Sequence, residues 1–94
     1  MTSLRDMLTL KPVRVEVDGM VVMLSRPTLV DLVEAVQAAE RGPVEARCFT
    51  LHRHAHDEKG MPIFDSLEHA GRCPAHVAAP LVVAIERLYN EGRD

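Results

Sequence analysis

Residues 13–24, VRVEVDGMVVML, decide the fold that the sequence predicts. In the first half of this stretch valines alternate with Arg14 and Glu16, and a period of two is typical of a strand with one buried face. The dipeptide Asp18-Gly19 follows, and it suits a type I′ turn because both central residues of that turn need a positive φ. The apolar run MVVML then returns, so we predict a β-hairpin. Because an isolated hairpin is barely stable in water, helices or another strand must cover it.

Three helical segments are predicted downstream of the hairpin, each from apolar residues at helical spacing. Thr28 caps the first helix, and the Asp31 side chain reaches back to this cap. Gly42 ends the first helix and Pro43 begins the second. The third begins at Pro74 or restarts at Pro80. The three apolar stripes are Leu29, Leu32, Val33, Val36 and Ala39; then Val44, Cys48, Leu51 and Ala55; then Val77, Leu81, Ile85 and Leu88.

Two shorter segments complete the predicted helices. Ser3 with Asp6 three positions later forms a capping-box pattern at the amino terminus, and Asp65 or Ser66 begins a single turn that ends at Gly71. The fold class that follows is α+β, mainly α, with one N-terminal β-hairpin packed on three to four short helices. At 94 residues, we expect one domain over residues 1–94 with a limited core of its own.

Composition narrows the function classes. The net charge is −3, with the arginines scattered singly among acidic residues, whereas a nucleic-acid-binding protein needs a basic stripe. The longest unbroken apolar run is Met20 to Leu24, which is too short to span a membrane, and the amino terminus lacks a secretory pattern. We therefore expect a cytoplasmic protein that binds neither nucleic acid nor membrane, with Cys48 and Cys73 as reduced thiols.

The stretch HRHAHDEKG, residues 52–60, places three histidines at every second position. Our favoured interpretation is that His52, His54 and His56 are solvated side chains at the carboxyl end of the second helix, where they suit the helix dipole. The alternative is a metal site in which these histidines are joined by Cys73. A metallohydrolase motif, a phosphate loop and a catalytic constellation are all missing from the sequence, so we predict a non-enzymatic protein without a cofactor.

Apolar surface exceeds what so small a body can bury, which favours a binding or assembly module. We predict that a hairpin face and two helix faces form the core and a groove in which partner helices dock. The residues predicted to bind the partner are Val15, Val17, Val21 and Met23 of the hairpin, and Leu32, Val36, Leu81 and Ile85 of the helices.

The order of elements resembles the tail assembly chaperones of long-tailed bacteriophages. Three stretches carry the resemblance: VRVEVDGMVVMLSRPTLVDLVEA (13–35), HDEKGMPIF (56–64) and CPAHVAAPLVVAIERLYN (73–90). The positions that match the recurring pattern of that family are Thr28, Asp31, Leu32, Asp57, Gly60, Pro62, Phe64, Leu88 and Asn90. The HRHAH run is a departure from the family pattern.

The resemblance implies a non-enzymatic role in virion assembly. Proteins of this family coat the long helical tape measure protein, keep it in solution and help recruit tail tube subunits; they self-associate and are absent from the finished particle. The implied partners are therefore the tape measure protein and the tail tube protein, together with further copies of the chain. A small metal-binding protein that uses the histidine cluster, and a generic regulatory subunit, are the alternatives from other classes.

Overall fold

A computed structural model describes residues 3–8 and 10–91. The described elements are α1 (Leu4–Met7), β1 (Val13–Val17), β2 (Met20–Leu24), α2 (Leu29–Arg41), α3 (Pro43–His54), β3 (Ala55–His56), α4 (Leu67–Ala70) and α5 (Ala75–Tyr89). Five helices and a three-stranded antiparallel sheet make this an α+β fold that is mainly α, with the hairpin packed on helices as predicted.

The hairpin forms with the predicted turn. Asp18 and Gly19 both have positive φ, at 53° and 78°, as a type I′ turn requires. Val17 pairs with Met20 beside the turn, and the register continues to Val13 opposite Leu24. Short strand β3 adds to the far side of β2, so the sheet order is β1-β2-β3.

The third strand was not predicted, and it corrects the expected end of the second helix. Helix α3 stops at His54, and the next two residues are extended and pair with Met23 and Leu24 of β2. The chain then turns tightly at Asp57, whose carboxylate accepts from the amides of Lys59 and Met61. Ala55 therefore belongs to the sheet and not to the apolar stripe of α3.

The helix ends follow the predicted signals. Thr28 and Asp31 form a capping box at α2, Ser3 and Asp6 form another at α1, and Ser66 caps α4. Helix α5 begins after Pro74 and continues through Pro80, so the helix does not restart there. None of the helices within the described residues combines the length and the apolar character needed to cross a membrane.

The core lies between the sheet and α5, with α3 closing one side. Its largest fully buried side chains include Leu24 of β2 and Leu81 and Ile85 of α5. Val13, Val15 and other partly buried residues of β1 pack against this cluster. The predicted stripe on the last helix is thus the side of α5 that faces the core.

Candidate protein-binding surface

Helix α2 turns its aliphatic stripe to solvent. Leu29, Leu32, Val33 and Val36 lie at successive helical positions on one side of the helix, and each is between 42% and 76% exposed. We call these four residues the α2 apolar surface. Val30 beside them and Ala39 at the end of the predicted stripe are exposed as well. The prediction of a continuous stripe is confirmed, but the stripe forms a surface of the molecule.

The opposite side of α2 accounts for this orientation. Ala38 and Asp31 are buried, and Ala35 between them is half-buried, so the side that packs on α3 is made of small and acidic residues. Arg53 of α3 donates to the Asp31 carboxylate over 2.6 Å and also pairs with Glu34. Because these charges need their partner, the helix is held with its polar side inward.

Electrostatics strengthen this attachment. Burial alone would raise the pKa of Asp31, but hydrogen bonds from the Thr28 amide and from Arg53 outweigh it and hold the pKa below its usual value. In return, the carboxylates of Asp31 and Glu34 raise the pKa of Arg53. Asp31 therefore serves both as part of the cap of α2 and as an anchor to α3.

A buried polar cluster lies under the amino-terminal end of α2. His54 is 0% exposed; its Nδ1 lies 2.9 Å from the Ser25 carbonyl oxygen and its Nε2 lies 2.7 Å from the Tyr89 hydroxyl. Since a carbonyl only accepts, Nδ1 carries the proton and donates, and Nε2 accepts from Tyr89. Three parts of the chain, the end of β2, the end of α3 and the end of α5, are joined through this one imidazole.

The environment of the cluster keeps its members uncharged. Burial lowers the pKa of His54, although the nearby Asp31 carboxylate acts in the opposite direction. Burial also raises the pKa of Tyr89 to about 12, and the charge of Asp31 adds to this. The interpretation of all three histidines as solvated side chains is therefore wrong for His54, which is a structural residue of the core.

The predicted metal alternative finds no support from the geometry. Both ring nitrogens of His54 are engaged by protein groups, and His56 donates from Nδ1 to the His54 carbonyl, 3.0 Å away. Cys73 lies before α5, and burial raises the pKa of its thiol. Across residues 3–8 and 10–91, no three His, Cys, Asp or Glu side chains come together as a metal site would require. Cys48 and Cys73 are free thiols.

The hairpin residues predicted to bind a partner do not share a face. Val15 and Val17 lie opposite Val22 and Met20, whereas Val21 and Met23 lie opposite Glu16 and Arg14. Directly opposed residues in an antiparallel pair project to the same side, so the first two valines face the core and Val21 and Met23 project to the other side. The predicted grouping is wrong because the two-residue turn places odd positions of β1 opposite even positions of β2, so odd positions on the two strands project to opposite sides.

The helix residues predicted to bind a partner also divide into two groups. Leu81 and Ile85 are buried at 2% and 0% exposure, so they belong to the core of the free protein. Leu32 and Val36 are exposed and belong to the α2 apolar surface. Of the four helix residues predicted to bind a partner, the two on α2 are exposed and the two on α5 are buried.

The amino-terminal segment extends this apolar region. A cleft of about 640 Å³ lies between Met7, Leu8, Leu10 and Pro12 on one side and the start of α2 on the other, and Leu29 lies at its border. Met7, Leu8 and Leu10 line the cleft and are themselves largely exposed. Arg26 borders the cleft, donates from Nε to the Lys11 carbonyl and pairs with Glu91.

Comparison with protein-family models, with curated proteins and with solved structures finds no match for this chain. Its function is therefore inferred from the surface itself and from the sequence resemblance described above.

Proposed function

We propose that this protein is a phage tail assembly chaperone that binds helical segments of the tape measure protein through the α2 apolar surface. The observation that carries the proposal is the orientation of α2. The four aliphatic side chains of this surface point to solvent, while Asp31 and Glu34 on the other side contact Arg53 of α3. An exposed aliphatic stripe of this kind marks an interaction site, because a free monomer gains nothing from it.

The geometry of the α2 apolar surface suits a helical partner. Leu29 to Val36 spans two helical turns, about 10 Å along the axis. A second helix can lay an aliphatic stripe along these positions, as in other helix-in-groove recognition. Each aliphatic side chain that becomes fully buried contributes about 1.5–3 kcal/mol before the costs of association are subtracted.

The cleft next to Leu29 gives a long partner a second place of contact. Its walls include Met7, Leu8 and Leu10, whose flexible or branched side chains adapt to different apolar sequences. A tape measure protein is a long apolar helix with many such segments. Repeated binding of short apolar segments, and not recognition of one sequence, is therefore the mode that this surface supports.

The rest of the proposed role follows the family resemblance. The chaperone acts without catalysis and without a cofactor in the host cytoplasm, keeps the tape measure protein in solution, helps recruit tail tube subunits, and leaves before the virion is complete. Several copies coat one tape measure chain, so we expect self-association during this process.

The test is co-purification with a tagged tape measure protein encoded in the same genome. The double variant L32D/V36D places two charges on the α2 apolar surface and should abolish capture, because desolvating a carboxylate against an apolar helix is costly. Val83→Asp is the matched control, since Val83 is an exposed valine on a different helix, α5. It should leave capture unchanged.

Folding must be checked in the same samples. The circular dichroism spectrum of L32D/V36D should match that of the unsubstituted protein, because both positions are exposed. Capture of the tape measure protein by folded L32D/V36D at the original level would show that α2 is not the binding surface and would remove the main support for the proposed function.

A further inference from the structure

The sheet has one open edge, on β1. The outer side of β3 is occupied by residues 61–63, since the amides of Asp57 and Ile63 donate to the Met61 and Ala55 carbonyls. Strand β1 has β2 on one side, and in the described part of the chain no backbone hydrogen bond reaches its other side. An open edge offers unpaired amides and carbonyls to another strand.

The register identifies which backbone groups are free. The Ser25 amide donates to the His54 carbonyl, so odd-numbered residues at the end of β2 direct their backbone groups toward β3. Even-numbered residues of β2 therefore bond to β1, through Val13, Val15 and Val17. The amides and carbonyls of Arg14 and Glu16 consequently point outward.

The side chains of these same two residues are charged and exposed. Arg14 and Glu16 are more than half exposed and form a 3.2 Å ion pair with each other along the strand. Val15 lies between them, flanked symmetrically by Val13 and Val17. The sequence VRVEV is therefore symmetric about Val15, except that one of its two charged residues is basic and the other is acidic.

We propose that a second copy of this chain pairs antiparallel with the open edge of β1, about a two-fold axis at Val15. Arg14 then lies opposite Glu16 of the second copy, and Glu16 lies opposite the second copy's Arg14. Both pairs are hydrogen-bonded positions, so they exchange four backbone hydrogen bonds in all. The outcome is one continuous six-stranded sheet with complementary charges across the new interface.

Neighbouring registers are disfavoured by the same charges. Only shifts of two residues keep outward backbone groups opposite outward groups. One such shift places Arg14 opposite Arg14 and brings Pro12, which has no amide proton, into the ladder. The opposite shift places Glu16 opposite Glu16. Like charges directly opposite each other destabilise a strand pair, so the pairing centred on Val15 is the favoured one.

This inference does not rest on the proposed function. The edge of β1 and the α2 apolar surface are formed by different elements, and the charges along β1 are the same whatever α2 binds. If both inferences hold, the dimer carries two α2 apolar surfaces, and a chaperone with two such surfaces can hold two segments of one partner chain.

The experiment is sedimentation equilibrium of the full chain over a range of concentrations, with charge-reversal variants. R14E and E16R should each weaken self-association by about tenfold or more, because two attractive cross-strand pairs become repulsive. An equimolar mixture of R14E and E16R should associate again as a heterodimer, visible by native mass spectrometry, since the acidic edge of one faces the basic edge of the other. The double variant R14E/E16R, which restores the alternating charges in reverse, should dimerise with itself.

Two controls isolate the contribution of the β1 edge. Arg14 and Glu16 are exposed, so the single variants should keep the circular dichroism spectrum of the unsubstituted protein. The variant L32D/V36D should dimerise normally, whatever its effect on the tape measure protein. The proposal is overturned if the unsubstituted chain stays monomeric at millimolar concentration, if R14E and E16R dimerise as it does, or if their mixture fails to associate.

Discussion

Helices α2 and α5 both carry an aliphatic stripe at helical spacing, yet α5 buries its stripe and α2 exposes its own. The difference lies in the side by which each helix packs on the rest of the protein. The inward side of α2 presents Asp31 and Glu34 to Arg53 of α3, whereas Leu81 and Ile85 of α5 meet the apolar side of the sheet. An aliphatic stripe therefore predicts where a helix can be buried, and the neighbours decide whether it is buried within the chain or by a partner.

The largest effect is expected when the α5 stripe is shortened. Ile85→Ala should lower the free energy of unfolding by about 2–5 kcal/mol, because Ile85 is fully buried and the cavity cannot collapse completely. Urea denaturation followed by circular dichroism measures this. A loss below about 0.5 kcal/mol would contradict the assignment of α5 to the core.

A smaller loss is expected when the attachment of α2 to α3 is broken. Arg53→Met keeps much of the side-chain volume but leaves the Asp31 carboxylate buried without its cationic partner. The free energy of unfolding should fall by about 1–3 kcal/mol, the cost of an unsatisfied buried polar group. Adding Asp31→Asn to Arg53→Met should recover part of the loss in the same denaturation experiment. If this double variant is no more stable than Arg53→Met alone, the attachment does not depend on charge.

The buried cluster predicts a loss of stability in mild acid. The pKa of His54 in the folded protein lies below the ordinary value of 6.5, so the unfolded chain takes up the proton first. The contribution of His54 is then complete above pH 6.5 and is lost as the pH falls below that value. The slope attributable to this residue stays below about 1.4 kcal/mol per pH unit, the limit for one titrating group.

The variant His54→Gln removes this proton-binding site while retaining an acceptor for the Tyr89 hydroxyl. Its stability at neutral pH should be lower, and its free energy of unfolding should depend less on pH below the ordinary histidine pKa of 6.5. Chemical denaturation at several pH values compares the two proteins. Equal slopes would show that His54 does not govern the acid response.

The smallest effect on stability is expected on the exposed side of α2. Leu32→Asp and Val36→Asp should each change the free energy of unfolding by less than about 0.5 kcal/mol, as is usual for exposed positions. The same denaturation experiment checks this. A loss comparable to that of Ile85→Ala would mean that the α2 stripe is buried in solution, and the comparison between the two helices would fail.

The features that could be predicted from sequence are those fixed by a few neighbouring residues. The turn at Asp18-Gly19, the cap formed by Thr28 and Asp31, and the start of α3 at Pro43 each depend on local backbone geometry, and each is found where it was predicted. The assignment of Leu81 and Ile85 to an apolar helix face was also correct, because their spacing is strictly helical.

The features that were missed depend on contacts between distant parts of the chain. Strand β3 has only two residues, too few to show a period, and it exists because β2 offers an edge. The burial of His54 depends on Ser25 and Tyr89, which lie 29 and 35 residues away along the chain. The outward direction of the α2 stripe depends on Arg53, and a basic residue within a histidine-rich run gives no local sign of that role.

The short connection between α2 and α3 has a consequence for binding. Gly42 alone joins the two helices, with φ at 138°, and a Cβ there would lie 2.7 Å from a carboxylate oxygen of Glu45. This one-residue connection attaches the carboxyl end of α2 to α3, and the contact between Arg53 and Asp31 attaches the amino-terminal end. The backbone of the α2 apolar surface is therefore in place before a partner docks, so that on this side of the interface binding orders side chains and does not have to fold a helix.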